Sequence, residues 1–397
     1  MFTFVTDIQL MNPEPLFTAY KETRLHGRYI TLEHIEPILN TLKSYFDVGI
    51  SGYSVMDKPL YNITAGTGSI RIFIWSQMHG NEGTTTKAVF DFLSYLQSDE
   101  IFAQRLKERF TFYILPMVNP DGAELYTREN ANKVDLNRDS VNLSQPESRI
   151  LRKVFEDFKP DYAYNMHDQR TIFGLQEGDA PAKPATVSFL APSYNDAREV
   201  NECRQKAINV IACMNETLQD YIPGQVGRFD DSFNINCIGD MFQSLGVPTI
   251  LFEAGHYQND YERETTRKFI FFALFSGFYA IYENVIVINK KQQYFNIPQN
   301  KIVFYDIIYK NVGINYENKE KFTNFASQYK EVLFEKSVIF RAFIREIGNL
   351  DGFFGHAEFD CNGEEFEGYD GTGLPKIEEK ADFMIGKTKK FVNGLPV

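Results

Sequence analysis

The sequence predicts an α/β protein, a sheet covered by helices on both faces, followed by a smaller strand-containing C-terminal region. Two observations carry that expectation. Up to about Ile297, short apolar runs of strand length alternate with longer segments of helical periodicity, the pattern of strands joined by crossing helices. Beyond it, strand-like runs such as KIVFYDII and SVIFRAFI alternate with charged stretches, and DCNGEEFEGYDGTGLP is rich in turn formers. At 397 residues the chain is long enough for two domains, and the expected division is 1–297 and 298–397.

In chain order, residues 33–46 (EHIEPILNTLKSYF) have helical periodicity, and residues 70–75 (IRIFIW) read as a buried strand. The polar turn SQMHGNEG follows, then a helix from about Thr84 to Leu96. Residues 111–115 (TFYIL) form a second apolar run that ends in the turn signal Asn119-Pro120-Asp121-Gly122. Pro146 to Phe158 reads as a helix, Asp161 to Met166 as a strand ending at His167, Arg198 to Asp220 as a long amphipathic helix, and Pro248 to Phe252 as a strand ending at Glu253. His79, His167 and Glu253 thus share one topological position, at or just past the C-terminal end of a strand. Open α/β sheets place their ligands at that edge.

Composition excludes several classes. A net charge of −12 argues against nucleic-acid binding, which needs a basic footprint. Cys203, Cys213, Cys237 and Cys361 form no CxxC pair, so neither a disulfide framework nor a thiolate zinc site is expected. The most apolar segment, Phe269 to Ile288, approaches the length of a membrane span but is interrupted by Tyr282, Glu283 and Asn284; a buried helix running into a strand is expected instead. The N-terminus, MFTFVTDIQLMNPEP, lacks a basic segment followed by a continuous apolar one, and a cytoplasmic location with no membrane contact is the expectation. The 36 Phe and 22 Tyr point to an aromatic core.

His79-Gly80-Asn81-Glu82 supplies an imidazole and a carboxylate three residues apart, which on a tight turn can reach one metal ion. Two histidines and a glutamate with water in the fourth position is a catalytic zinc arrangement. Gly80 and Gly83 suit a turn whose backbone approaches a metal closely. His167 would complete the set, with His256, also near a strand end, as the rival third ligand. Between them, NPDGAELYTRENANKVDLNRD concentrates Arg128, Asn137 and Arg138 in one loop, where fixed guanidinium groups can hold a carboxylate.

The ordered set HGNE, NPDG, TRENANKVDLNRD, NMHD and FEAGH resembles the zinc carboxypeptidases of the metallocarboxypeptidase (M14-type) family over roughly residues 30–285. The TRENANKVDLNR portion is most similar to the branch that includes bacterial peptidoglycan-peptide amidases. The resemblance implies a central mixed sheet flanked by helices and one zinc ion held by His79, Glu82 and His167. It implies Glu253 as the catalytic glutamate and Arg128 as the arginine that polarises the scissile carbonyl. Asn137 and Arg138 would hold the terminal carboxylate of a peptide or peptide-like substrate, and Asp135 would orient a histidine ligand. The implied activity is hydrolysis of the C-terminal peptide bond.

Two features depart from the family pattern. Many members carry a tyrosine on a mobile loop some twenty residues before the catalytic glutamate. Here that region reads GRFDDSFNIN, without tyrosine, and Tyr257 follows Glu253 instead. Gly239 falls near the position that discriminates substrate side chains, with Asp230, Asp231 and Asp240 nearby as acids expected on an exposed loop. Two alternatives remain: a zinc-dependent N-acyl-amino-acid deacylase on the same scaffold, and a zinc-binding protein of that fold without turnover.

Overall fold

The computed structural model describes residues 12–397 apart from 177, 179, 285, 286, 317, 318 and 370. Residues 1–11, on which the expectation of no leader rests, lie outside the described residues. The chain divides into two compact units, the first comprising Met1–Gln169 and Ala185–Asn300, the second Arg170–Pro184 and Lys301–Val397.

The first unit opens with α1 (Pro13–Tyr20), α2 (Leu32–Leu42) and a hairpin of β1 (Asp47–Tyr53) and β2 (Pro59–Ala65). β3 (Ile70–Ser76), α3 (Thr84–Leu96), α4 (Ile101–Arg109), β4 (Phe110–Leu115), α5 (Pro120–Leu125), α6 (Pro146–Phe158) and β5 (Tyr162–Asp168) follow. Strands β6 (Phe173–Leu175) and β7 (Lys183–Pro184) leave for the second unit. The chain returns through β8 (Val187–Leu190), α7 (Glu202–Gln219), β9 (Val226–Arg228), α8 (Ile238–Ser244), β10 (Thr249–Ala254), α9 (Glu264–Tyr282) and α10 (Lys291–Phe295).

Eight strands form one mixed sheet in the order β1-β2-β4-β3-β5-β10-β8-β9. Its centre, β4-β3-β5-β10, is parallel; β2 runs antiparallel to β4, and β8 to β10. The parallel core explains why β3 reads as a continuous apolar run, since strands covered on both faces need apolar residues at every position. Alternate β3 residues enter different cores. Ile72 and Ile74 pack with residues of α3, α7 and α9, including Phe92, Ile211 and Phe271. Phe73 and Trp75 face α6 and α8, meeting Phe155 and Phe242, whose rings stack at 3.8 Å.

Several expectations are revised. The NPDG segment is not a free turn but the start of α5, with Asn119 accepting from the Gly122 amide at 2.8 Å. His167 and Glu253 do stand at the C-terminal ends of their strands, as the penultimate residues of β5 and β10. The apolar segment from Phe269 is the buried body of α9, but residues 283 and 284 form a turn, and residues 287–290 are not strand. Among those residues, no helix is long and apolar enough to cross a membrane.

The second unit is built of β-strands around its own aromatic core. β11 (Lys301–Ile302) joins β6 and β7 in a three-stranded sheet. β12 (Phe304–Tyr316), β13 (Lys319–Phe334), β14 (Ser337–Gly348) and β15 (Phe354–Asp360) form a sheet in the order β14-β13-β12-β15. β16 (Phe366–Gly368), β17 (Phe383–Ile385), β18 (Lys389–Val392) and β19 (Leu395–Pro396) form an antiparallel one. Tyr309, Phe325, Phe383 and Phe391 fill the core between them. Composition alone groups 170–184 with the first unit. Pairing decides otherwise, because Phe173 and Gly174 bond to Ile302 and Lys301.

Candidate metal centre

The parallel centre of the sheet brings the separated motifs to one edge. β3 delivers the turn carrying His79 and Glu82, β5 carries His167, and the β5–β10 register sets Glu253 directly beside His167. The HGNE turn is held by the next loop. Its Asn81 amide donates to the Thr127 carbonyl at 3.2 Å, and a Cβ on Gly80 would sit 2.0 Å from the Gly122 carbonyl carbon. Gly80 is therefore required for the approach of another backbone, not of a metal.

His79, Glu82 and His167 are buried and form the group that could hold a metal ion among the described residues, their ligand atoms all within 4.8 Å of one another. His79 Nδ1 lies 2.8 Å from Glu82 Oε1, His167 Nδ1 lies 2.8 Å from Glu82 Oε2, and the two Nδ1 atoms are 3.2 Å apart. His79 Nε2 lies 3.0 Å from Asp135 Oδ1. A carboxylate can only accept, so Asp135 places the proton of a neutral His79 on Nε2 and leaves the Nδ1 lone pair facing Glu82. Two imidazole nitrogens and a carboxylate converging in a buried space form a donor set that fits zinc with a further position open. His256 is not in this group; its ring lies 4.8 Å from that of Tyr261.

The charges reinforce one another. Burial raises the proton affinity of Glu82, but the two imidazoles outweigh it and hold the carboxyl well below the usual carboxylate range. Asp135 is likewise raised by burial and lowered further by His79 and Arg128. Burial lowers His167, whereas for His79 the neighbouring Glu82 and Asp135 overcome burial and raise it. Glu253 is pushed well above the ordinary range by burial first, then by the Glu82 and Asp168 carboxylates.

Arg128, with a side chain 42% exposed, reaches Asp135 Oδ2 at 3.0 Å and Glu82 Oε1 at 3.4 Å. Asn137 and Arg138 lie on a short 3-10 turn, Leu136–Arg138, whose N-cap is Asp135. Asn137 Oδ1 accepts from the Ile238 amide at 3.0 Å, tying this turn to the start of α8. Arg138 is exposed, bonding the Asn137 carbonyl at 2.8 Å. The loop is tied together by local hydrogen bonds. Asn130 accepts from the Asn132 and Val134 amides and donates to Gln145 and Glu147, and Asp139 accepts from Ser144 and Gln145.

Sequence reading overlooked a supporting layer. Asp168 accepts from the Thr84 and Thr85 amides at 3.0 and 3.2 Å, and its own amide donates to Glu82 Oε2 at 3.1 Å. A carboxylate ahead of a helix start is a readable signal only when the two are neighbours in sequence; here 84 residues separate them. The acids near Gly239 also differ from expectation. Asp231 and Asp240 are buried, Asp231 against Arg204 at 2.6 Å, and only Asp230 is exposed. Tyr257 packs against Phe269, ring centres 5.8 Å apart.

Residues 35–143, which contain the HGNE turn and the Arg128–Arg138 loop, match the family model described as zinc carboxypeptidase. Over that segment the chain is similar to that family. Among curated carboxypeptidases, carboxypeptidase 2 of Trichophyton rubrum is 27% identical over 137 residues, 32% of this chain and 26% of that protein. The match thus spans about a quarter of that relative's length. The carboxypeptidase fold extends further than the sequence match. Carboxypeptidase A of Helicoverpa armigera superposes with a TM-score of 0.51 at 16% identity, covering 69% of this chain and 80% of that one. Thrombin activatable fibrinolysis inhibitor gives 0.52 at 15%, covering 68% and 81%.

Proposed function

We propose that the chain is a zinc-dependent carboxypeptidase that removes the C-terminal residue from a peptide bearing a free carboxylate. The observation that carries this reading is the convergence of His79 Nδ1, Glu82 and His167 Nδ1, backed by Asp135 and placed beside Glu253. His79, Glu82 and His167 would hold the ion. Bound zinc would supply Lewis acidity and a water acidified toward neutral pH.

The remaining roles belong to the protein. Glu253 takes the proton of the attacking water and returns it to the leaving amine, work worth typically ~10²–10⁴-fold. Arg128, partly exposed and already among carboxylates, donates to the oxyanion as charge develops. Asn137 and Arg138 fix the chain end, so that only the last bond reaches the centre. A clamp for a terminal carboxylate makes an exopeptidase.

The test is a zinc-loaded digestion of a mixed peptide library in free-acid and C-terminally amidated forms, with Glu253→Gln as control. Single-residue loss from free acids only is expected, and a fall in kcat of roughly 10²–10⁴-fold in Glu253→Gln with zinc retained. Full activity of a zinc-loaded Glu253→Gln protein would sink the assignment of the base. Cleavage of an N-acyl-aspartate but of no peptide would put the deacylase first. Inertness toward both classes, with zinc bound, would favour a binding protein.

A further inference from the structure

Behind the metal centre lies a buried cation whose position the chemistry above does not use. Arg263 is 1% exposed. Its Nη2 donates to the Gln169 carbonyl at 2.6 Å, and its Nη1 donates to the Ala254 carbonyl. Gln169 lies two residues past His167, and Ala254 one past Glu253. The β5–β10 ladder ends here, its last rung being the Gln169 amide bonded to the Ala254 carbonyl at 2.9 Å. A planar guanidinium across two strand-end carbonyls closes a ladder that would otherwise fray.

The backbone supports the same reading. Arg263 has φ 60° and ψ 29°, a left-handed conformation costing a non-glycine residue about 1–2 kcal/mol. It is held there because Asp260 caps α9, accepting from the amides of Glu264, Thr265 and Thr266. From there the side chain reaches the Ala254 and Gln169 carbonyls, and the residue before Gln169, Asp168, anchors the start of α3 and donates its amide to Glu82. The Arg263 charge also opposes the effect of burial on both Asp168 and Glu253.

We propose that Arg263 is a positioning residue that fixes the spacing between the strand end carrying His167 and the strand end carrying Glu253. The role rests on the carboxypeptidase reading for its catalytic consequence. A misplacement of about 1 Å in such a site costs on the order of 10²-fold in rate.

The test compares the full-length zinc-loaded protein with Arg263→Met and Arg263→Lys. It measures kcat and KM on a free-acid peptide, zinc affinity by chelator competition, and amide exchange at Gln169. In Arg263→Met, kcat falls about 100-fold with KM changed by less than about threefold. Zinc remains bound, and Gln169 exchanges faster than in the parent while the centre of the sheet does not. Arg263→Lys, whose single ammonium keeps the charge, recovers part of the loss. Unchanged kcat, a loss expressed in KM alone, or unchanged exchange at Gln169 would overturn the proposal. Should Arg263→Met not fold, Arg263→Lys decides by itself, since parental kcat and parental exchange at Gln169 together refute the role. If the parent cleaves no peptide, the carboxypeptidase reading fails, and exchange at Gln169 alone decides whether Arg263 clamps the strand ends.

Discussion

Which nitrogen of a histidine can meet a metal is settled by what stands behind the ring, and Asp135 does this for His79. Asp135→Ala should therefore leave the ligand set intact but free the ring to change tautomer and orientation. Zinc affinity should fall ~10–100-fold, the usual effect of losing such an outer partner, as chelator competition would show. Asp240 offers a test in solution without metal. Burial raises its carboxyl to about 6, whereas in the unfolded chain it titrates near 3.9. Between these values the folded state holds a proton that the unfolded state has lost, so stability falls as pH rises through this window and the penalty is complete above it. Asp240→Asn keeps an acceptor for the Asn234 amide and removes the charge. Thermal unfolding should show the variant gaining on the parent from pH 4 to 7, and a constant difference would refute the assignment.

Among the elements, α3 and α9 are joined by a buried ion pair. Arg267 donates to Asp91 from Nε at 2.7 Å and from Nη2 at 2.6 Å, with both side chains fully buried. It also bonds the carbonyls of Leu25 and Glu22, tying the segment before α2 to the same point. Removing one partner strands the other charge, so Asp91→Ala should destabilise the protein by about 3–5 kcal/mol in urea unfolding. That pair was not legible beforehand, because 176 residues separate its members. Elements with strong local signals were. The helices at Thr84–Leu96 and Pro146–Phe158 follow their periodicity to the residue, and the buried strand around IRIFIW forms β3. The β1–β2 hairpin and the short β8 and β9 escaped notice. Asp47–Tyr53 has no buried residue, and strands of three or four residues are too short to establish a period.

At the scale of the whole molecule, residues 170–184 belong to the second unit although the first surrounds them in sequence. Within that unit the Val303 and Phe304 amides donate to the Ile172 carbonyl at 3.1 Å, and a Cβ on Gly174 would sit 2.4 Å from the Phe304 ring. A chain ending at Asn300 would strip these partners away. Trypsin should then cut after Arg170 in the truncated chain and not in the full one, as mass spectrometry of the fragments would show. By itself the sequence determined the α/β class, the candidate zinc ligands and the loop of Arg128, Asn137 and Arg138, because each is written in contiguous motifs or strand-length apolar runs. Tertiary structure brings His167, the ligand the resemblance implied, rather than His256 to His79 and Glu82. It alone decided that Gly80 yields to the Gly122 backbone, and that Asp168 and Arg263 underlie the site. Those choices depend on register between strands and on contacts between residues far apart in the chain, and no local pattern encodes either.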